Sequence, residues 1–285
     1  MTETVKVATV FTHRRPQQTA HALGELELAA RRAGVELRFD EEEAGKHGLV
    51  AGDGIVIGES APDDVDLCVV LGGDGTILGA LRRYAHTQVP VFAVNFGEVG
   101  FLATIDPDEC HDGFDRAFRG EFEVLSLPAI EVDGPGGKMF AINDVAVHRK
   151  VGERVAQLAY AVGEEIVGSV RCDGIVVASP AGSTGYNLAN GGPVMAWGVE
   201  GFVVSFIAPH SLTARALVVA PNDVLTIDNR SIAEVQISVD GRPSVDIAPQ
   251  ESISVRFVHD AACLAQVSGS TFYRRLREKF GRLSN

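Results

Sequence analysis

The residues with the clearest chemical promise lie in VLGGDGTIL, Val70 to Leu78. Gly72, Gly73, Asp74, Gly75 and Thr76 follow an apolar run there. Glycines let backbone N–H groups face an anion with no Cβ in the way. A helix starting behind them adds a favourable dipole. A carboxylate inside such a loop repels phosphate, unless it holds a metal or takes a proton. Phosphoryl transfer to an alcohol uses an aspartate in that second way, orienting the hydroxyl and accepting its proton. The plainer reading is a tight turn with Asp74 as the helix N-cap. Two familiar phosphate loops fail on spacing: GxxxxGK[ST] is absent, and Gly73, Gly75 and Gly79 give GxGxxxG, one residue longer than the dinucleotide fingerprint.

Two further stretches place polar groups against apolar strands. In FAINDVAVHR (Phe140–Arg149), Asn143 and Asp144 interrupt an apolar run. Adjacent strand residues point to opposite faces. Alone, the pair reads as a strand edge and its turn. As a site, an amide and a carboxylate can grip two sugar hydroxyls. CDGIVVASPAGSTGYNLANGGPVM (Cys172–Met195) sets Asp173 and Gly174 before a buried strand, then supplies small residues, hydroxyls and the ring of Tyr186. Small residues permit close backbone approach, and a tyrosine can stack on a flat base. A glycine-rich loop of this length is usually functional. The competing reading is an ordinary loop with a helix start at Ser183 or Thr184.

The elements that must position these residues change character near residue 120. Val5–Phe11 is a predicted strand. Over Pro16–Ala33 the residues Ala20, Leu23, Leu26, Ala30 and Ala33 share a helical face. Gly34 ends that helix, as a residue with no penalty for positive φ. VELRF is a strand, residues 40–64 an acidic, glycine-containing connector, and Val65–Leu71 a buried strand. Ile77–Ala85 is a short helix and Val89–Asn95 a strand. This alternation implies a parallel sheet with helices on its faces. Beyond residue 120 come short strands, among them Ala129–Val132 and Phe140–Val147 around a long DGPGGK turn, and Ser252–Val258. Turn signals such as PND, DNR and DGRP separate them. That pattern implies a β-sandwich or closed sheet stack. The fold class expected is α/β plus all-β, with a last helix (Ser270–Phe280) packing back on the first domain.

Composition narrows the function classes. The 285 residues are 46% hydrophobic, enough for a sizeable core. A net charge of −13 argues against a nucleic-acid backbone as partner. The one dense basic stretch, FYRRLREKFGR (Phe272–Arg282), reads as a solvated face of the terminal helix. Cys68, Cys110, Cys172 and Cys263 are far apart, which argues against a disulfide framework or zinc cluster. Cys68 and Cys172 read as buried reduced thiols. No signal-peptide pattern opens the sequence, and no apolar run reaches about twenty residues. The expected setting is soluble, reducing and cytoplasmic.

Taken together, the segments resemble the NAD kinase family. GGDGT (72–76), NFGEVGFL (95–102), NDVAVHR (143–149), DGIVVASPAGSTGYNLANGGP (173–193), PHSLTARALVV (209–219) and SVDGR (238–242) occur in the family's order and cover most of the chain. GGDGT alone also marks diacylglycerol and sphingosine kinases. The asparagine–acid pair with GSTGY and PHSL singles out NAD kinase. The resemblance implies phosphorylation of the adenosine 2′-hydroxyl of NAD to give NADP, with ATP or polyphosphate as donor. It implies Asp74 as general base, Gly75 against the dinucleotide, and Gly72, Gly73, Gly75 and Thr76 lining the ATP phosphates. Asn143 and Asp144 would hold a ribose of NAD, and Asp173 its nicotinamide half. Thr184, Gly185, Tyr186, Asn187, Leu188 and Ala189 would wrap the adenine and its ribose. Asn95, Phe96, Arg154, Arg171, Ala208 and Arg242 would complete the NAD contacts. The family implies a Rossmann-like N-terminal domain (1–120) carrying GGDGT, a β-sandwich NAD-binding domain (121–265) and a returning C-terminal helix (266–285). It also implies homodimers or homotetramers, and a divalent metal, magnesium, that comes with ATP and is fixed by no protein side chains alone.

The sequence departs from the family pattern at Gly79, where a basic residue is common, and at Ala181, Gly185, Asn187 and Arg242. The Asn–Asp pair replaces the commoner Asn–Glu. Three rivals remain at this stage. A lipid kinase shares the glycine loop, but the −13 charge disfavours an anionic membrane. A non-catalytic dinucleotide-binding regulator is countered by the intact Asp74. An NAD-dependent oxidoreductase lacks its fingerprint, and His148 and His210 read as structural or supporting polar residues.

Overall fold

The early alternation of short apolar runs and helical stretches closes into a parallel sheet in the computed structural model, which describes residues 4–97, 101–269 and 271–281. The chain divides into two units, residues 1–126 with 262–285, and residues 127–261. In the first, β1 (Val7–Thr12), α1 (Pro16–Ala33), β2 (Glu36–Asp40), α2 (Glu41–His47), β3 (Ile55–Gly58), β4 (Leu67–Gly72), α3 (Asp74–Arg83), β5 (Pro90–Asn95) and α4 (Cys110–Phe118) follow in order. The strands pair in parallel as β3-β2-β1-β4-β5. Cys263 and Leu264 add a last parallel pairing to β5. Every residue of β4 and β5 is buried, as a strand covered by helices on both faces requires. The strand order reverses between β1 and β4, and ligands of open α/β sheets bind at such a reversal, beyond the strands' carboxyl ends. Gly72 is the last residue of β4.

In the second unit the strands are antiparallel. Its elements are most of β6 (Glu123–Gly134), β7 (Gly137–Ala141), β8 (Asp144–Arg149), β9 (Ala156–Val162), β10 (Glu165–Cys172), β11 (Gly174–Ala178), α5 (Tyr186–Ala189), β12 (Phe202–Ile207), β13 (Leu217–Val219), β14 (Leu225–Asn229), β15 (Val235–Val239), β16 (Arg242–Ile247) and the first part of β17 (Ser252–Gln266). Among the described residues one sheet runs β13-β12-β11-β8-β15-β16. A second layer includes β10-β9-β14-β17. Alternate residues of the two layers, such as Val145, Val147, Ile175 and Val177 against Leu158, Leu225, Ile227 and Val255, form one apolar core. Two antiparallel sheets with a shared inner face make the expected sandwich.

Several expectations need correction. The connector over 40–64 holds α2 and β3. Asp40 caps α2 by accepting from the Glu43 N–H, and Gly48 ends it in left-handed geometry, φ 63. Its apolar periodicity is weak, with Ala44 and the paired Glu43 as its buried residues. The DGPGGK turn is tighter than expected, because β6 and β7 continue to Gly134 and Gly137. Phe140–Val147 is two strands, broken at Ile142–Asn143. The last strand runs on to Gln266. Residues 98–100 of NFGEVGFL and Ser270, the expected start of the last helix, lie outside the described residues. The last helix, α6 (Phe272–Phe280), is capped by the Thr271 side chain. It is not simply solvated: Phe272 and Arg275 are buried. All four thiols are buried and none is in a disulfide. No described helix is long and apolar enough to cross a membrane.

Candidate active site

The glycine loop stands at the carboxyl end of β4. Gly73 is the N-cap of α3, in extended geometry, and its carbonyl accepts from the Thr76 and Ile77 N–H groups. Asp74 is therefore the first helical residue and not the cap, a correction to the plainer reading of this turn. The position suits a carboxylate, since the helix N-terminus carries partial positive charge. The Leu102 N–H donates to Asp74 Oδ1 at 3.3 Å.

Close packing explains two of the glycines. A Cβ on Gly73 would come within 3.2 Å of the Gly97 Cα, and one on Gly72 within 2.7 Å of the Thr76 side chain. A Cβ on Gly75 would meet nothing within 4 Å, so the backbone beside Asp74 faces open space. Gly79 is likewise open. Asn95 ends β5, and its amide works within the protein. Its Oδ1 accepts from the Gly97 N–H at 3.0 Å and its Nδ2 donates to Asp106 at 3.3 Å. Phe96 is half-buried against the core of this unit. Gly72 to Thr76, Asn95 and Phe96 thus come together.

Behind the loop lies a buried cation. Arg275 on α6 is 7% exposed. It donates to the Phe101 carbonyl at 3.0 Å and to Gln266 Oε1 at 2.7 Å. Burial pulls its guanidinium down to about 10, opposed by the charges of Asp106, Glu278 and Asp74. It stays charged at neutral pH.

The second unit sets several of the remaining predicted residues around an acidic pair. Asn143 immediately precedes β8 and Asp144 opens it. The carboxylate of Asp240 accepts from the backbone N–H groups of Ile142, Asn143 and Asp144, at 3.3, 2.7 and 3.3 Å. Asp240 adopts left-handed geometry, φ 46, and its own N–H returns a bond to the Asp144 carbonyl. Asp144 is buried, and burial together with the Asp240 charge pushes its carboxyl up to about 7. The Asn143 Oδ1 is buried with no hydrogen-bond partner among the described residues. An unpartnered amide oxygen can accept a hydrogen bond, and a carboxyl can donate one when protonated and accept when ionised.

The loop after β11 packs on this pair. A short 3-10 turn (Gly182–Thr184) leads into α5. A Cβ on Gly182 would overlap the Asn143 carbonyl, so glycine is needed for the approach. Asn187 is fully buried and donates to the Ser183 and Pro193 carbonyls, both at 2.9 Å, which ties the loop to itself. Tyr186 is 42% exposed, and partial burial with the charges of Asp144 and Asp173 raises its hydroxyl pKa. Thr184, Gly185, Leu188 and Ala189 flank it on the same turn.

Tyr186 and Asp173 line a cavity of about 450 Å³ with His148, Arg149, Gln236 and Ser238. Arg149 clamps Asp173 through both oxygens, at 2.6 and 3.4 Å, and holds its carboxyl below the usual range. Arg149 is a site residue that sequence reasoning passed over, although it ends the NDVAVHR segment. Asp240 was legible only as part of SVDGR. The other predicted contacts are not among the walls of this cavity. Arg154 is exposed after β8, Arg171 is exposed on β10, and Arg242 is exposed at the start of β16. Ala208 follows β12 at φ 43, a left-handed geometry that alanine seldom adopts.

The ATP-NAD kinase N-terminal domain model matches residues 55–122, and the C-terminal domain model matches residues 142–267. The chain is 32% identical to an NAD kinase of Solibacter usitatus over 87% of this chain and 88% of that one. It is 36% identical to an NAD kinase of Symbiobacterium thermophilum, over 82% and 83%. Among solved structures, yeast NADH kinase complexed with NADH has a TM-score of 0.88 at 23% identity, covering 99% of this chain and 89% of that one. An NAD kinase from Archaeoglobus fulgidus in complex with ATP has a TM-score of 0.75 at 24% identity, covering 98% of each. These two likenesses speak to the fold.

Proposed function

We propose, from the premise that this chain belongs to the ATP-NAD kinase family and phosphorylates NAD with ATP, that the acceptor is the adenosine 2′-hydroxyl and that Asp74 is its general base. The observation that carries the reading is the place of Asp74: a carboxylate on the first residue of a helix, beside an open glycine backbone. There the N–H groups of a helix start favour the donor's phosphates while the carboxylate takes the hydroxyl proton. The O2′–Pγ bond forms, the bond from Pγ to the β,γ-bridging oxygen breaks, and ADP leaves with the electron pair. Such transfer is mostly positioning and charge stabilisation.

Asn143 and Asp144 suit a ribose of NAD: among the described residues the amide oxygen has no hydrogen-bond partner, and burial raises the acid to about 7, where it can donate as well as accept. Asp173 takes the nicotinamide half and Tyr186 stacks on the adenine. Among the described residues no group of three or more His, Cys, Asp or Glu could hold a metal ion. The reading includes magnesium that comes with the ATP phosphates and is fixed by no protein side chains alone. The reading extends to a cytoplasmic homodimer or homotetramer. In it residues 1–120 carry the donor loop, 121–265 bind NAD, and 266–285 return to the first domain.

The test is NADP formation from NAD by the purified protein with MgATP, and separately with polyphosphate, read by an NADP-specific cycling assay. Asp74→Asn runs beside it with folding checked. Turnover lost in a folded mutant supports the base. NAD binding without NADP from either donor would replace this reading with a dinucleotide-binding protein.

A further inference from the structure

The C-terminal helix carries a group that the reaction scheme has not used. Arg275 is buried at 7% exposure and donates to the Phe101 carbonyl and to Gln266 Oε1. Removing a guanidinium from water is costly, and a well-packed apolar side chain of similar volume usually serves stability as well or better.

What Arg275 holds is one end of a peptide unit that also meets Asp74. The Phe101 carbonyl that Arg275 holds and the Leu102 N–H that meets Asp74 Oδ1 belong to the same peptide bond. That unit is planar and trans, so its C=O and N–H point in opposite directions. Fixing one end therefore aims the other. A cation on the carbonyl also polarises the unit and strengthens its N–H as a donor. The Phe101 ring reinforces the clamp by packing edge-on against Phe272 of the same helix, with centroids 5.7 Å apart.

We propose that Arg275 is a positioning residue for the phosphoryl transfer: by holding the Phe101 carbonyl it fixes the peptide plane whose other end, the Leu102 N–H, orients the Asp74 carboxylate. Without it the plane can rotate and turn a carbonyl oxygen toward the carboxylate. The C-terminal helix then acts on the chemistry without touching substrate. The inference rests on Asp74 being the base.

The experiment compares kcat and KM for NAD and ATP in the full-length wild type, Arg275→Met, Arg275→Lys, Gln266→Leu and Asp74→Asn, with thermal unfolding of each. Arg275→Met should lower kcat about thirtyfold, because small misplacements of a reacting group cost up to about a hundredfold, while both KM values stay within about twofold. Lysine can keep one of the two bonds, so Arg275→Lys should lose only about threefold in kcat. Gln266→Leu removes the other arm and should lower the melting temperature with kcat unchanged. A wild-type kcat in folded Arg275→Met, or kcat and KM moving together, would overturn the proposal. Should Arg275→Met not fold, Arg275→Lys decides: a lowered kcat at constant KM supports the clamp, and an unchanged kcat ends it. Asp74→Asn separates the premises. If it stays active the base assignment fails whatever Arg275 does. If it is inactive while both Arg275 variants match wild type, only the positioning role fails.

Discussion

In the parallel unit the candidate polar groups sit where a strand ends and a helix begins; in the antiparallel unit the candidate groups sit on a pair of acids between strands. Gly72, Gly73 and Asp74 are consecutive, and their geometry follows from one strand end and one helix start. Asp240 reaches the backbone of residues 142–144 from nearly a hundred positions away in sequence. The first arrangement leaves a charged group half-buried at the carboxyl end of an interior strand, where strand ends cost little to expose. The second buries an acid at 7% exposure and shifts its protonation. Local geometry is cheap to build and should be separable from stability. Long-range burial should couple the site to folding.

The sharpest break of this comparison is Asp74→Asn. We expect kcat to fall about a thousandfold, the scale of a lost general base, with urea unfolding almost unchanged. A large loss of stability would show that the loop is not locally determined. Gly182→Ala should do the reverse. Its Cβ would lie within 2.6 Å of the Asn143 Cα, backbone that cannot swing aside. A cost of about 3 kcal/mol in urea unfolding is expected for such overpacking.

The third test uses pH. A carboxyl raised to about 7 keeps its proton in the folded protein while the unfolded chain has lost it. The folded state then binds more protons between about pH 4 and pH 7, so this group makes stability fall as pH rises through that window. Above it the full penalty remains. Asp144→Asn removes the effect, so its stability relative to wild type should rise by about 2–4 kcal/mol between pH 4 and pH 8. A pH-independent difference, measured without ligand, would mean that Asp144 is not held neutral. The smallest effect is expected for Arg149→Met. The pair with Asp173 is one-third exposed on both sides, so stability should change by no more than ~0.5 kcal/mol. NAD affinity, measured by titration calorimetry, should move more than stability does.

Much of the parallel unit was legible because apolar periodicity and glycine placement are local signals. The helix over Pro16–Ala33 and the strand before GGDGT follow from them. The short helix Glu41–His47 escaped for want of that signal. Its caps were readable, an aspartate before and a glycine after, but its buried residues make no apolar stripe. In the antiparallel unit, strand number and turns were legible while bounds such as the end of β17 were not, because pairing partners set where a strand stops. The polar stretch Asn143–Asp144 was visible as an interruption. Nothing local announced the acid that surrounds it with repulsion, or the arginine that clamps Asp173.

The terminal helix shows where the line falls. Composition made FYRRLREKFGR look like a solvated face, since arginine is seldom buried. The fold instead brings residue 275 to the carbonyl of residue 101, 174 positions away. The sequence by itself determined the glycine loop, its aspartate, the order of elements and the family, because each is written in neighbouring residues. Only the tertiary structure decided which carboxyl is raised toward neutral pH, which glycine must admit a backbone and which arginine aims a peptide plane. Burial and long-range hydrogen bonds set those properties, and both depend on groups that are adjacent in space and distant along the chain.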